Sequence, residues 1–420
     1  MKSKECSWKA VCAWSVAVSF YFYQFLLQVI PSVLKPEIQE TFHLSGQQFG
    51  SMAAYFLYAY AAMQIPAGLL LDRYGPRYVL PLATLVCALG AALFAIATDY
   101  PTAALARILA GVGSAFAVIG CFKVAAMQFS PKHFSFMTGL TIMIGMSGAA
   151  FGQGWVGPIV HGMPRWQDIF QIFASIGVAL AIAMMLFIPG RASHEVPEVK
   201  SLSMLKAELF LVLSNPCTWV AALYAGLMYV PTLGLGEAWG IAFLVEGHGL
   251  SRDAAHQVLP TLFLGWAIGS IMFGFLSEFI SRSWLMISSS LVVWLICRTM
   301  LQSNFVGLCV TSWMGVFFIL GLFSAGFILA FTSAKETNPE EMAATSSGVM
   351  NTMNTLCGAL AQQGIGAMLD QQLLLNGRVV PILADYHTAL YMIVYAMMGS
   401  LILSVILMMI EPTYKKKLNA

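Results

Sequence analysis

Arg107, Lys123 and Glu237 are the most informative of the ionisable side chains that interrupt long apolar stretches of this chain. A charge in such a setting is costly, and it usually faces a water-filled cavity or pairs with another charge. Counted along ideal helices, Arg107 and Glu237 each lie roughly 9–12 Å below the same end of their stretches. They are therefore positioned to meet each other or to share a bound solute, and a carboxylate at that depth is a natural proton carrier. A structural ion pair, or a Glu237 that reaches outside water, would account for the same residues. Glu237 follows Pro231 and is flanked by Gly234, Gly236 and Gly240, which predicts a broken helix of the kind that exposes backbone at a binding site. Lys123 follows Arg107 by 16 residues, about 160° around a helix, so only one of the two faces a cavity comfortably. Lys123 either snorkels to the nearer surface or gives an anionic solute a second partner. Among uncharged groups, Tyr21, Gln24 and Gln28 recur at three- and four-residue spacing on one helical face. Asn351, Asn354, Gly358 and Gln362 form a similar stripe. Both stripes suit a polar cavity wall, and both suit helix–helix hydrogen bonding.

The elements that carry these residues follow from composition. The chain has 420 residues, 59% hydrophobic and 10% charged, whereas a soluble domain carries about a quarter charged residues. Lipid is the solvent that such a composition fits. Apolar runs of spanning length fall at 10–34, 47–71, 78–98, 101–129, 134–160, 167–188, 218–245, 254–279, 284–302, 305–331, 342–369 and 386–410. They predict an all-α membrane protein of twelve transmembrane helices. The first run follows Lys2, Lys4 and Lys9 but is too long for a secretion signal, and it is read as a retained helix. The polar stretch 189–216 divides the chain into an N-terminal bundle (1–189), a linker (190–216) and a C-terminal bundle (217–420). Residues 202–213 of the linker form either a short surface helix or a solvated loop. With the N-terminus inside, fourteen lysines and arginines fall on the cytoplasmic side and four outside. This bias places both termini in the cytoplasm of an inner (plasma) membrane protein.

The two bundles look like copies. Gly68 and Asp72 match Gly274 and Glu278 at an offset of 206, while Gly139, Ala150, Gln153 and Gly157 match Gly348, Ala359, Gln362 and Gly366 at 209. Each match pairs a helix with the one six places later, which makes the two six-helix bundles pseudo-symmetric.

The segment Gly68-Leu-Leu-Leu-Asp72-Arg73-Tyr-Gly75-Pro-Arg77 resembles the signature loop of the major facilitator superfamily, G-x-L-x-D-R-x-G-R-[RK], with Pro76 departing from it. Arg107 with Gly111 and Gly113 resembles the family's second motif, R-x-x-x-G-x-G. The resemblance covers the whole chain, including the degenerate loop copy around Glu278 and Arg282. It implies a bacterial secondary transporter whose first, fourth, seventh and tenth helices line a central cavity. It also implies a cytoplasmic gate of Gly68, Asp72, Arg73, Gly75, Arg77, Glu278 and Arg282, in which Asp72 is placed to pair with Arg77 and with a neighbouring helix end. A turn whose charges only fix topology would use the same loop residues. Glycines crowd the fifth helix (Gly139, Gly145, Gly148, Gly152, Gly154, Gly157) and suit close packing against a partner in the other half. They match the family's exporter motif poorly.

Enzymatic and metal signatures are missing. The sequence holds no GxxxxGK[ST] loop, no HExxH and no C-x-x-C pair, and the histidines (His43, His161, His248, His256 and His387 on the outer side) are scattered. The expectation is a non-enzyme without cofactor or metal that meets lipid, a small-molecule solute and protons, but no nucleic acid, and that works as a monomer. It would move a small polar, carboxylate-bearing solute (amino acid, peptide or organic acid) by proton-coupled symport and alternating access. Tyr21, Gln24, Gln28, Arg107, Lys123, Glu237, Asn351 and Asn354 are its candidate binding residues. A proton-antiporting exporter of drugs or a siderophore, and a non-transporting receptor or scaffold, are the alternatives.

Overall fold

The computed structural model describes residues 8–190, 202–302, 307–339 and 342–418. Among the described residues the chain is entirely helical. The long helices are α1 (Trp8–Val33), α3 (Gly46–Tyr74), α4 (Pro76–Ile96), α5 (Tyr100–Gln128), α6 (131–161), α7 (Asp168–Phe187), α9 (Pro216–Gly247), α10 (Arg252–Leu276), α11 (Arg282–Gln302), α12 (Val310–Glu336), α13 (Ala343–Asn376) and α14 (Leu383–Leu418). Two short ones complete the order: α2 (Lys35–Phe42) and α8 (Leu202–Ser214). Ten of the long helices are long and apolar enough to cross a membrane. Of the other two, α13 carries Asn351, Asn354, Gln362, Gln363 and Asp370 along its length.

Each predicted run has its helix, and the largest differences lie at the end of the chain. α13 runs on to Asn376 and α14 to Leu418, because helix geometry continues through polar residues that a hydropathy reading stops at. α2 lay in a predicted loop, yet its start signals are ordinary ones: Pro36 at the first turn and Glu37 beside it. The linker's helical alternative holds for 202–214; residues 191–201 of that linker lie outside the described ones, as do Lys2, Lys4 and Cys6.

Contacts group the chain into two compact units, residues 1–43 with 55–199 and residues 44–54 with 200–420. In the first unit, α5 approaches α3 and α4 closely because it presents glycine to both. A β-carbon at Gly111 would run into the backbone carbonyl of Phe56, and one at Gly113 would collide with Ala83 and Cys87. α6 sets Gly145, Gly148 and Gly152 against Tyr21, Phe22 and Val29 of α1. These three glycines thus serve packing inside their own unit. In the second unit, Gly265 and Gly269 of α10 lie against the backbone of α12 around Phe318 and Leu322. Gly358 of α13 lies against Leu233 of α9.

The repeat has a physical meaning. Gln153 of α6 donates to Ser32 of α1 at 2.9 Å, and its counterpart Gln362 of α13 donates to the Leu233 carbonyl of α9 at 3.0 Å. Each amide ties the fifth long helix of its half to the first, which is the service that buried polar groups perform between membrane helices.

Candidate functional site

In the first unit, α1 and α5 bring three of the candidate residues together. Gln24, 1% exposed, donates its amide to the Gln28 side-chain oxygen at 2.5 Å. The other end of the Gln24 amide, Oε1, is buried with no hydrogen-bond partner among the described residues. Arg107, 3% exposed, donates to the Leu27 carbonyl at 2.6 Å and to the Gln28 carbonyl at 3.3 Å. Sequence explains why a carbonyl in mid-helix is available. Leu27 would normally accept from the N–H four residues on, but that residue is Pro31, which has none. The guanidinium replaces the missing donor. Its other side lies 4.7 Å from the Phe56 ring centroid, and Phe56 is also the residue on which Gly111 rests. Arg107 and Gly111 are one helical turn apart, so the second motif reads as one contact surface: a cation on the ring and a glycine against its backbone. Tyr21 is buried, packed on Phe25 with ring centroids 5.1 Å apart. Gln64 of α3, 5% exposed with its amide nitrogen unpartnered, joins the polar inventory of this unit and was not anticipated.

Lys123 is elsewhere. Its ammonium pairs with Asp72 at 2.6 Å, with the side chains 31% and 58% exposed, so it belongs with the loop residues rather than with Arg107. This changes the expected loop pairing, because Arg77 instead donates to the Ile188 carbonyl at 2.8 Å, where the C-terminal end of α7 attracts cations. Arg73 lies over the ring of Tyr74 at 5.2 Å. Gly75 has φ +78°, a conformation that favours glycine. Gly68 has open space where a β-carbon would stand. In the second unit Glu278 is exposed, while Arg282 pairs with Glu336 of α12 and lies 4.0 Å from Glu411 of α14. The two halves therefore secure this loop to equivalent helices, α5 and α12, with opposite polarity: acid on the loop in one, base on the loop in the other.

Also in the second unit, Glu237 is 3% exposed. The predicted break around it is a widening instead. Residues Thr232–Trp239 form π-helical turns, and Gly240 donates to the Leu235 carbonyl five residues back. Such turns frequently mark functional positions. The widened segment is held by α13, since Trp239 donates to the Gln362 carbonyl at 2.9 Å. Of the α13 stripe, Gly358 and Gln362 are thus spent on α9. Asn354 is 2% exposed with its carbonyl oxygen unpartnered, and Asn351 is half-buried.

Comparisons agree with this architecture. The hexuronate transporter of Bacillus subtilis is 27% identical over 263 residues, 60% of this chain and 60% of that protein. The hexuronate transporter of Escherichia coli is 24% identical over 367 residues, covering 80% of this chain and 82% of its own. The chain thus spans three-fifths of the first relative's length. The crystal structure of a bacterial homologue of the human lysosomal transporter Spinster, inward-facing and unoccupied, superposes with TM-score 0.78 at 18% identity, over 98% of this chain and 99% of that one. The family model described as Major Facilitator Superfamily matches residues 14–362. With that match covering most of the chain, on an all-helical fold of this family's kind, the protein belongs to the Major Facilitator Superfamily of multi-pass membrane transporters of small molecules, and not to a family of enzymes.

Proposed function

We propose that the protein is a proton-coupled secondary transporter of a small carboxylate-bearing solute, a sugar acid of the hexuronate kind, working by alternating access. The observation that carries this reading is the buried Gln24–Gln28–Arg107 group, in which a guanidinium about 10 Å along α5 from its start meets the stretch of α1 that also carries the Gln24 amide oxygen, without a partner among the described residues. A guanidinium is the side chain best suited to a carboxylate, because its donors form a planar fork. Amides on the same face suit hydroxyls. The relatives named for hexuronates support the solute class. Glu237, buried among glycines in a widened helix, is the proton carrier in this reading. The lysine and arginine bias supports an inner-membrane protein with both termini cytoplasmic.

The test is uptake of galacturonate and glucuronate into proteoliposomes with and without an imposed proton gradient. Wild type is expected to accumulate one or both only with the gradient. Arg107→Lys is expected to raise KM at least tenfold. Glu237→Gln is expected to lose gradient-driven accumulation and to retain solute exchange. Gradient-independent uptake, or none, sinks the proposal.

A further inference from the structure

Three aromatic rings meet in the second unit from three different helices: Tyr229 of α9, Trp266 of α10 and Phe327 of α12. Tyr229 and Phe327 are stacked, with centroids 5.1 Å apart and planes 24° apart. Trp266 and Phe327 stand 5.5 Å apart at 35°, and Tyr229 and Trp266 6.2 Å apart at 56°. Each residue lies near the middle of its helix. The cluster is positioned rigidly. Gly265 and Gly269 on either side of Trp266 press α10 against the α12 backbone, and α12 tightens into a 3-10 turn over Ala325–Phe327.

Its polar groups do not behave like packing. Trp266 is 4% exposed, yet its indole nitrogen has no hydrogen-bond partner among the described residues. Four other indole N–H groups find an acceptor, Trp14 on Thr141, Trp166 on Thr41, Trp219 on the Leu213 carbonyl and Trp239 on the Gln362 carbonyl, while that of Trp294, like that of Trp266, has none among the described residues. Buried tryptophan normally finds an acceptor. One turn before Phe327, the Ser324 hydroxyl is also fully buried and unpartnered. An apolar wall with a few unsatisfied polar groups is the composition of a small-molecule site. Tyr229, half-buried, is the accessible edge.

We infer that Tyr229, Trp266 and Phe327 form a cradle for the C–H face of a sugar-acid ring, with the Trp266 indole N–H donating to one of its oxygens. This rests on the solute class proposed above. It makes Trp266 a specificity-determining residue, with galacturonate (a ring) preferred over galactonate (an open-chain six-carbon acid that also ends in a carboxylate).

The experiment measures initial uptake rates of galacturonate in proteoliposomes, and its inhibition by galactonate, for wild type, Trp266→Phe and Trp266→Ala. Trp266→Phe keeps a ring and removes the donor. It is expected to raise KM for galacturonate about three- to tenfold with kcat unchanged, the loss of one neutral hydrogen bond. Trp266→Ala is expected to raise it further and to narrow the preference for galacturonate over galactonate. Should the alanine variant not fold, as read from its melting temperature in detergent, the phenylalanine variant decides alone. Wild-type uptake of galacturonate with an unaltered KM in Trp266→Phe overturns the cradle and leaves the transport proposal standing. Absence of uptake of both acids by wild type overturns the proposal itself, and the cradle with it.

Discussion

Replacing Asp370 should release the first turn of α3. That turn has four N–H groups without intrahelical acceptors, and each has a partner. Gly46 and Gln47 donate to the two carboxylate oxygens of Asp370 on α13, both at 2.7 Å. Gln48 donates to the Ser45 hydroxyl at 3.2 Å, and Phe49 makes the first intrahelical bond, to the Ser45 carbonyl at 3.0 Å. The Gln48 side chain returns a bond to the Ser45 N–H at 3.0 Å, so the cap is reciprocal. The contact is tight: a β-carbon on Gly366 would overlap the Gly46 carbonyl. Asp370→Asn keeps one acceptor and turns an amide N–H₂ toward the other donor. A hydrogen bond to a charged group contributes about 1.5–3 kcal/mol, and the negative charge at a helix N-terminus about 0.3–1 kcal/mol. Gln47 is exposed and Asp370 half-buried, so the lower part of these ranges applies, and the loss is about 2 kcal/mol. At 1.4 kcal/mol per factor of ten, the open form of this turn should rise roughly thirtyfold. Hydrogen exchange by mass spectrometry in nanodiscs reads this directly, as faster exchange at residues 46–54 in Asp370→Asn, with partial recovery in Asp370→Glu. Exchange within twofold of wild type in a correctly folded variant would refute the reasoning, because it would mean that the Ser45 cap alone holds the turn.

Other expectations follow from the same geometry. Gly111→Ala should destabilise the protein by about 1–3 kcal/mol through overpacking against Phe56, seen as a lower melting temperature, whereas Gly139→Ala, at an exposed position with open space beside it, should leave it unchanged or slightly raised. The Asp72–Lys123 pair is part-exposed, so a double-mutant cycle on thermal stability should return under about 1 kcal/mol of coupling; a larger value would mean that the pair is a structural clamp and not a readily broken lock. Burial, then the neighbouring His387, holds the His248 imidazole down to about 4. Its rings of contact are Phe243 and Trp313, each 4.7 Å away, with the Glu246–Tyr386 and Arg378–Asp385 pairs in the same region. The unfolded state binds a proton more readily between about pH 6.5 and 4, so stability falls as pH drops through that window. His248→Phe should flatten the pH dependence of melting there, and an unchanged slope would contradict it.

What the sequence determined by itself is whatever is written within one helix length. The helices are legible because a membrane demands about twenty apolar residues in a row, and the duplication because a nearly constant offset survives in glycines, acids and amides. The Gln24–Gln28 pair is legible because three- and four-residue spacing fixes a shared face. The partners of the charges are another matter. Arg107 meets Leu27 across 80 residues, Lys123 meets Asp72 across 51, and Asp370 meets Gly46 across 324. Nothing in the local spacing of those residues names the partner. Pro31 leaves a carbonyl orphaned, a fact present in the sequence, but only the packing of α5 on α1 decides that Arg107 fills it. The same is true of Trp266, an ordinary apolar residue in the pattern, whose unsatisfied N–H exists only once α9, α10 and α12 have closed around it.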